Sequence, residues 1–232
     1  GQGGLLDVAL DPDFGSNKII YWSFSEKYDV GNLMSVAKGT LNEAAGTVDN
    51  AVVIFRATPA LKNTSYHYGS RLIFDKDGNL FASTGERSVM EGRVQAQSLS
   101  SGLGKIFKIT KEGKPAPGNP FMNQAGAMPE IYSYGNRNVQ SMDIHPVTGE
   151  LWAAEFGPRG GDDRTGHPPH PGPGRGMPGA DRTAACQRPH RRPGPAAGPD
   201  PPQPHRDRPH PELPGSHRAD HPPRGGDRAS RA

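Results

Sequence analysis

The sequence predicts an all-β fold, a partial β-propeller followed by a disordered tail, and three observations carry that expectation. Residues 1–163 hold all 8 Phe, all 6 Tyr and both Trp in short alternating apolar runs separated by turn residues, which is the period-two pattern of half-buried strands. One hairpin pattern recurs three times in this region. Residues 164–232 lack nearly every side chain from which a core could be built.

The first hairpin runs from residues 6–10 through Asp11-Pro12-Asp13 into residues 19–24. The second runs from residues 72–74 through Asp75-Lys76-Asp77-Gly78-Asn79 into residues 80–82, and the third from residues 142–144 through His145-Pro146-Val147-Thr148-Gly149 into residues 151–154. With Asp11, Asp75 and His145 as equivalent points, the spacings are 64 and 70 residues. Each gap holds further strands, such as residues 51–55 and 105–109, so four strands per unit fit. A recurring sheet-sized unit with Gly, Pro and Asp in its turns is how a β-propeller reads in sequence, and about 2.5 to 3 blades can be drawn. Helical repeats are a poor alternative: no segment keeps apolar residues at i, i+3, i+4 and i+7 for three turns, and Gly or Pro interrupts every candidate window. An incomplete ring leaves sheet faces open, so independent folding of these blades is in question.

The tail is a different polymer. Its 69 residues carry 17 of the 25 Pro, 7 of the 9 His, 12 Arg and the only Cys, Cys186, with no Lys, Asn, Val, Ile, Phe, Tyr or Trp and a single Leu, Leu213. Such a segment cannot bury enough surface to offset chain entropy, so residues 164–232 are expected to be disordered. It has 12 Arg against 6 acidic residues, whereas residues 1–163 have 15 basic against 18 acidic. The net charge of +3 therefore originates in the tail and gives no reason to expect nucleic-acid binding by the folded part. A Pro-rich linker, a basic arm and out-of-frame translation of a GC-rich gene compete as readings of the tail. Arg-only basicity, His-Pro and Arg-Pro repetition and the abrupt loss of β-forming residues favour the last. Its His-Pro clusters have metal-ligand residue types but no scaffold.

Other classes fall away. No run of about 18 apolar residues exists, which excludes a membrane-spanning helix, and one Cys cannot build an intrachain disulfide framework. The chain opens on Gly1 in the middle of an ordered-looking apolar stretch, as if its true N-terminus were missing, so compartment cannot be read from a leader. Asp75, Asp77, Asn79, Ser83 and Glu86 imitate a calcium-binding helix-loop-helix spacing, but Leu80 stands where the sharp turn needs Gly, and a hairpin turn is expected instead. Asn63-Thr64-Ser65 fits a glycosylation pattern to which nothing else in the sequence lends weight.

Five motifs in order then give residues 1–163 a family resemblance. They are Gly1-Gln2-Gly3-Gly4-Leu5-Leu6-Asp7 with Asp11-Pro12-Asp13-Phe14; His67-Tyr68-Gly69-Ser70-Arg71-Leu72 with Phe74-Asp75; Gly104-Lys105-Ile106 with Asn119-Pro120-Phe121; Tyr134-Gly135-Asn136-Arg137-Asn138; and Glu155-Phe156-Gly157-Pro158-Arg159-Gly160-Gly161-Asp162. Together they resemble the soluble pyrroloquinoline quinone (PQQ)-dependent aldose sugar dehydrogenases, the glucose/sorbosone dehydrogenase family. The resemblance implies about half of a six-bladed propeller. It also implies oxidation of an aldose at its anomeric carbon to a lactone, with PQQ and Ca²⁺ as cofactors and an external electron acceptor. A place in carbohydrate metabolism and a periplasmic or secreted location follow from the same source.

That chemistry needs a base for the hydroxyl proton and a hydride acceptor held over C1. His67 is the one His of residues 1–163 outside a His-Pro turn, and an imidazole can accept a proton near neutrality. The residue alone would read as a packed His at a strand start; the surrounding motif implies the general base. By the same resemblance Arg137 and Asn138, expected between a strand ending at Tyr134 and one beginning near Ser141, contact PQQ and the reacting centre, and Arg137 stabilises developing charge. Gln2 matches a glutamine near sugar and cofactor. Gly157 and Pro158 would offer backbone carbonyls to the Ca²⁺ that polarises PQQ. Two positions depart from the family: Tyr66 stands before the base where some relatives have Asp, and Asp163 replaces a Glu after Gly160-Gly161-Asp162 that contributes to a second calcium. The family's later blades also supply basic residues toward the PQQ carboxylates, and residues 164–232 contain no match to them. The sequence therefore leaves two readings open: a PQQ dehydrogenase that is inactive as this polypeptide, or a propeller fragment serving as a carbohydrate- or protein-binding module or a gene remnant.

Overall fold

A computed structural model describes residues 1–155 and the backbone of residues 163–165. Three antiparallel sheets follow one another along the chain. The first contains β1 (Leu5–Leu10), β2 (Ile19–Tyr28), β3 (Gly31–Asn42) and β4 (Thr47–Arg56) in the order 1-2-3-4; the second contains β5 (Leu72–Phe74), β6 (Leu80–Ser83), β7 (Lys105–Ile109) and β8 (Ile131–Tyr134) in sequence order. The third has β9 (Val139–Ile144), β10 (Leu151–Glu155) and β11 (Asp163–Thr165). Two short helices, α1 (Phe14–Asn17) and α2 (Met90–Gln95), sit in connections, and no helix among the described residues is long and apolar enough to cross a membrane.

This is the expected partial propeller, with each recurring hairpin forming the first two strands of a sheet. Leu10 pairs with Ile20, Phe74 with Leu80 and Ile144 with Leu151. The leading strands neighbour one another, β1 beside β5 and β5 beside β9, which lines up the starts of the three sheets. Strand β11 includes Arg164 and Thr165, so strand pairing continues two residues past the boundary expected at Asp163. The remainder of the expected disordered tail lies outside the described residues.

The three turns are built alike. Asp11 Oδ1 accepts the Asp13 N–H at 2.9 Å, and Asp75 Oδ1 accepts the N–H groups of Asp77 and Asn79 at 2.9 and 2.8 Å. In the third turn His145 Nδ1 takes the acceptor's place, receiving the Val147 and Thr148 N–H groups at 3.3 and 3.1 Å. A side-chain acceptor two residues upstream is the Asx-type device that fixes a turn. The loop from Asp75 is thus a hairpin turn, as its Leu80 implied.

Alternation along the strands divides the core in two. Tyr21, Met34, Val36 and Phe55 of the first sheet pack on Leu72, Leu80, Ala82, Phe107 and Ile131 of the second, with the Phe55 and Phe107 rings 4.6 Å apart. From the opposite face of the second sheet, Phe81 and Ile106 pack on Val139, Leu151 and Ala153 of the third. The middle sheet is covered on both faces, which is why all four residues of β6 are buried. Each fully buried Phe or Leu stabilises by about 1.5–3 kcal/mol, so the middle sheet is the anchor of the arrangement and its loops are the best held.

Candidate active site

The β5–β6 hairpin creates the site. Because Leu72 pairs with Ala82, the segments entering β5 and leaving β6 are adjacent and continue past the ladder: Ser70 N–H donates to the Ser83 carbonyl at 2.7 Å. His67 and Glu86 therefore face each other, with His67 Nδ1 2.5 Å from Glu86 Oε1. His67 is 9% exposed and Glu86 1%. Glu86 Oε2 accepts the Ser88 N–H at 3.1 Å and lies 3.4 Å from Arg93 Nε on α2. A buried carboxylate at Nδ1 fixes the imidazole with its proton on that nitrogen and leaves the Nε2 lone pair as the basic position.

The loops that carry this pair are tightly drawn together. A Cβ on Gly85 would lie 2.1 Å from the His67 carbonyl oxygen and 2.9 Å from Asn138 Oδ1, so only glycine lets the strands' extensions approach this closely. His67, Ser70, Arg87 and Ser88 all adopt positive φ, at 49°, 80°, 67° and 60°. Left-handed backbone at non-glycine residues costs on the order of 1–3 kcal/mol each and gathers where the surrounding structure over-determines it.

Arg87 supplies much of that determination. It is 2% exposed, and its guanidinium donates to the carbonyls of Tyr66 and Asn32, each at 3.0 Å, and of Thr64 at 3.2 Å, and to Asn32 Oδ1, while stacking 3.9 Å from the Tyr68 ring centroid. Burial lowers its proton affinity below the ordinary guanidinium range, opposed by Tyr68. Thr64 Oγ1 returns a bond to the Arg87 carbonyl at 2.5 Å. The segment before His67 is thereby tied to the segment after Glu86.

The other expected residues converge here. Gln2 Oε1 accepts the His67 backbone N–H at 2.8 Å. Arg137 and Asn138 lie between β8 and β9, the latter starting two residues earlier than expected. The Arg137 carbonyl accepts the Glu86 N–H at 2.8 Å, and Asn138 Oδ1 accepts the Gly69 N–H and a Gln140 side-chain N–H, each at 3.0 Å. The Asn138 side-chain oxygen is thereby engaged twice, which fixes the carboxamide beside the loop of His67. Gly157 and Pro158 lie outside the described residues. Among the described residues no group of three or more His, Cys, Asp or Glu could hold a metal ion.

Sequence reasoning missed two acids. Glu86 entered it only as the last position of a rejected calcium loop; the usable signal was hairpin register, which brings the residues flanking β5 and β6 together. Glu155, 6% exposed, accepts the backbone N–H groups of Arg137 and Asn138 on Oε2 at 2.6 and 2.9 Å. It was quoted only as a motif member.

The glucose/sorbosone dehydrogenase family model matches residues 1–166. The aldose sugar dehydrogenase YliI of Escherichia coli strain K12 is 43% identical over 164 residues, covering 70% of this chain and 43% of the relative. The crystal structure of the soluble aldose sugar dehydrogenase of E. coli in its apo form is similar with a TM-score of 0.68 at 39% identity, covering 73% of this chain and 48% of that one. A PQQ-bound aldose sugar dehydrogenase of Streptomyces coelicolor has a TM-score of 0.60 at 32% identity, covering 73% and 47%. The chain thus spans about half the length of these relatives. Its residues 1–166, with their three consecutive sheets and the His67 loop, place the chain in the glucose/sorbosone dehydrogenase family.

Proposed function

We propose that residues 1–166 form the base-bearing side of a site that oxidises an aldose at its anomeric carbon, with PQQ as the two-electron acceptor. The observation that carries this reading is the buried His67–Glu86 pair beside Arg137 and Asn138. His67 Nε2 accepts the proton of the C1 hydroxyl while C1 gives up its hydrogen as hydride; the C1–O bond becomes a carbonyl and the sugar leaves as a lactone. Glu86 holds the imidazole and stabilises the imidazolium that forms. Arg137 offers positive charge where negative charge develops, and Asn138 and Gln2 orient.

One guanidinium and one carboxamide are donors suited to an anionic quinone, with the imidazole lone pair beside them as a base, so the residues fit PQQ. When bound, PQQ supplies hydride acceptance. For Ca²⁺ the assignment is to the carbonyls of Gly157 and Pro158, on the resemblance alone. An external acceptor would reoxidise the cofactor, and a periplasmic or secreted setting is the one consistent with the resemblance.

The test is a hybrid in which residues 1–155 replace the matching part of the E. coli aldose sugar dehydrogenase. PQQ- and Ca²⁺-dependent dye reduction by the hybrid, abolished in His67→Ala, is expected, and no turnover is expected from the 232-residue chain alone. A hybrid that keeps its rate with His67→Ala would overturn the assignment of the base, and turnover by the chain alone would overturn its inactivity.

A further inference from the structure

Arg137 and Asn138 are held from outside their own turn. Their consecutive N–H groups both point at one buried oxygen, Glu155 Oε2, at 2.6 and 2.9 Å, while the carbonyl on the other side of Arg137 accepts the Glu86 N–H at 2.8 Å. Glu155 is the last residue of β10, where register against β9 slips between Ala154 and Glu155 and Glu155 comes opposite Val139. A bulge of this kind re-aims a side chain. Asn138 is 3% exposed, so without the carboxylate its N–H would be left buried and unmet.

We propose that Glu155 is a positioning residue: a carboxylate from the third sheet that locks the Arg137–Asn138 pair against the His67–Glu86 pair of the second. The functional meaning of the lock rests on the reading in the preceding section. Mechanically it joins four residues in series. Glu155 grips Arg137 by its N–H, Arg137 grips Glu86 by its carbonyl, and Glu86 grips His67 by its carboxylate. The Asn138 side chain closes a second connection to Gly69, two residues beyond His67. Relative placement of base and guanidinium is thus set through the backbone N–H groups of Arg137 and Asn138 that Glu155 holds. A catalytic pair misplaced by a fraction of an ångström loses much of its advantage.

The experiment needs no cofactor: backbone amide exchange and the His67 Nδ1–H resonance are followed by NMR in the 232-residue chain and in Glu155→Ala, Glu155→Asp and Glu155→Gln. Glu155→Ala is expected to speed exchange at Arg137 and Asn138 by about tenfold or more, the loss of one hydrogen bond's worth of protection. Exchange at Glu86 rises with it and the His67 signal broadens, while the amides of Tyr21 and Val36 in the first sheet keep their rates. Glu155→Gln, whose carboxamide oxygen can accept both N–H groups, is expected to stay near wild type. Unchanged exchange at Arg137 and Asn138, or an increase spread equally over the first sheet, overturns the proposal. If Glu155→Ala does not fold, Glu155→Asp decides by the same criterion, because its carboxylate is withdrawn by one methylene. Failure of the chain to bind PQQ in a separate absorbance titration would count against the enzymatic reading and leave the exchange result standing.

Discussion

Glu86 Oε1 lies 2.5 Å from His67 Nδ1, and both residues are extensions of a single hairpin whose ladder ends at Leu72 and Ala82. The pairing of β5 with β6 therefore brings His67 and Glu86 together. Glu86 is nearly without solvent contact, so its charge is compensated locally by His67, the Ser88 N–H and Arg93.

Replacing Glu86 with Gln keeps the size and removes the carboxylate that faces His67 Nδ1. In the hybrid enzyme kcat is expected to fall by about a hundredfold with the sugar KM changed by less than about threefold, since a group acting only as the proton moves affects the transition state and not sugar binding. Steady-state dye reduction measures both; an equal fall in kcat and rise in KM would assign Glu86 to sugar binding instead.

The hairpins were legible because their turns advertise themselves: an acceptor side chain, then Pro or Gly, between two apolar runs. Strand β3, the longest, was not singled out, because Leu33 to Ala37 are all buried and the alternation that marks a half-exposed strand is absent. His67, Arg137, Asn138 and Gln2 were legible as motif members. Their coming together is visible only in hydrogen bonds between segments about 70 residues apart, such as the Gly69 N–H to Asn138 Oδ1. Lys105 is the plainest case of a hidden role: a Lys in a strand reads as a solvated side chain, yet this one has no solvent exposure.

The Asp11 turn predicts a defined acid response. Asp11 is buried, which alone would raise its proton affinity, but Lys111 at 2.8 Å, the Asp13 N–H and Asn17 outweigh burial and hold it below the ordinary carboxylate range. A depressed folded value means stability that is present above the unfolded value near 3.9 and is lost as pH falls through the folded one. The difference in unfolding free energy between wild type and Asp11→Asn is therefore expected to be about 1–3 kcal/mol at pH 7 and to narrow as pH falls below about 4. Urea titrations at pH 7 and pH 3 measure it, and a difference undiminished at pH 3 would remove the ion pair as its cause.

His145 occupies the place that Asp11 and Asp75 hold in the other two turns, using Nδ1 as the acceptor and stacking on Trp152 with ring centroids 6.0 Å apart. His145→Asp restores the acceptor of the sister turns and is expected to change stability by less than about 0.5 kcal/mol, whereas His145→Ala removes acceptor and stacking together and is expected to cost about 1 kcal/mol. Thermal unfolding of the two variants separates them. Equal losses would show that stacking on Trp152, and not the turn bond, is what His145 contributes.

Lys105 combines full burial with three acceptors: its ammonium donates to the carbonyls of Leu103, Ala96 and Gln95 at 2.6, 2.8 and 3.2 Å, which gathers the end of α2 over the start of β7. The Ala96 carbonyl also accepts the Gly135 N–H at 2.8 Å, so the same clasp reaches the loop of Arg137. Burial brings the Lys105 ammonium down to about 7. Between that value and the unfolded one near 10.4 the unfolded chain binds a proton that the folded chain does not, so stability rises with pH across this window and the penalty is full below it. Relative to Lys105→Met, which has no such proton, wild type is expected to gain on the order of a few kcal/mol from pH 6 to pH 10. At pH 7 the Met variant is expected to be less stable, because three carbonyls lose their donor. Paired denaturant titrations across that range measure the difference, in which every other titrating group cancels. A difference that stays flat would mean that the three carbonyls hold the ammonium charged throughout, and Lys105 would then act as a fixed internal cation at the end of α2.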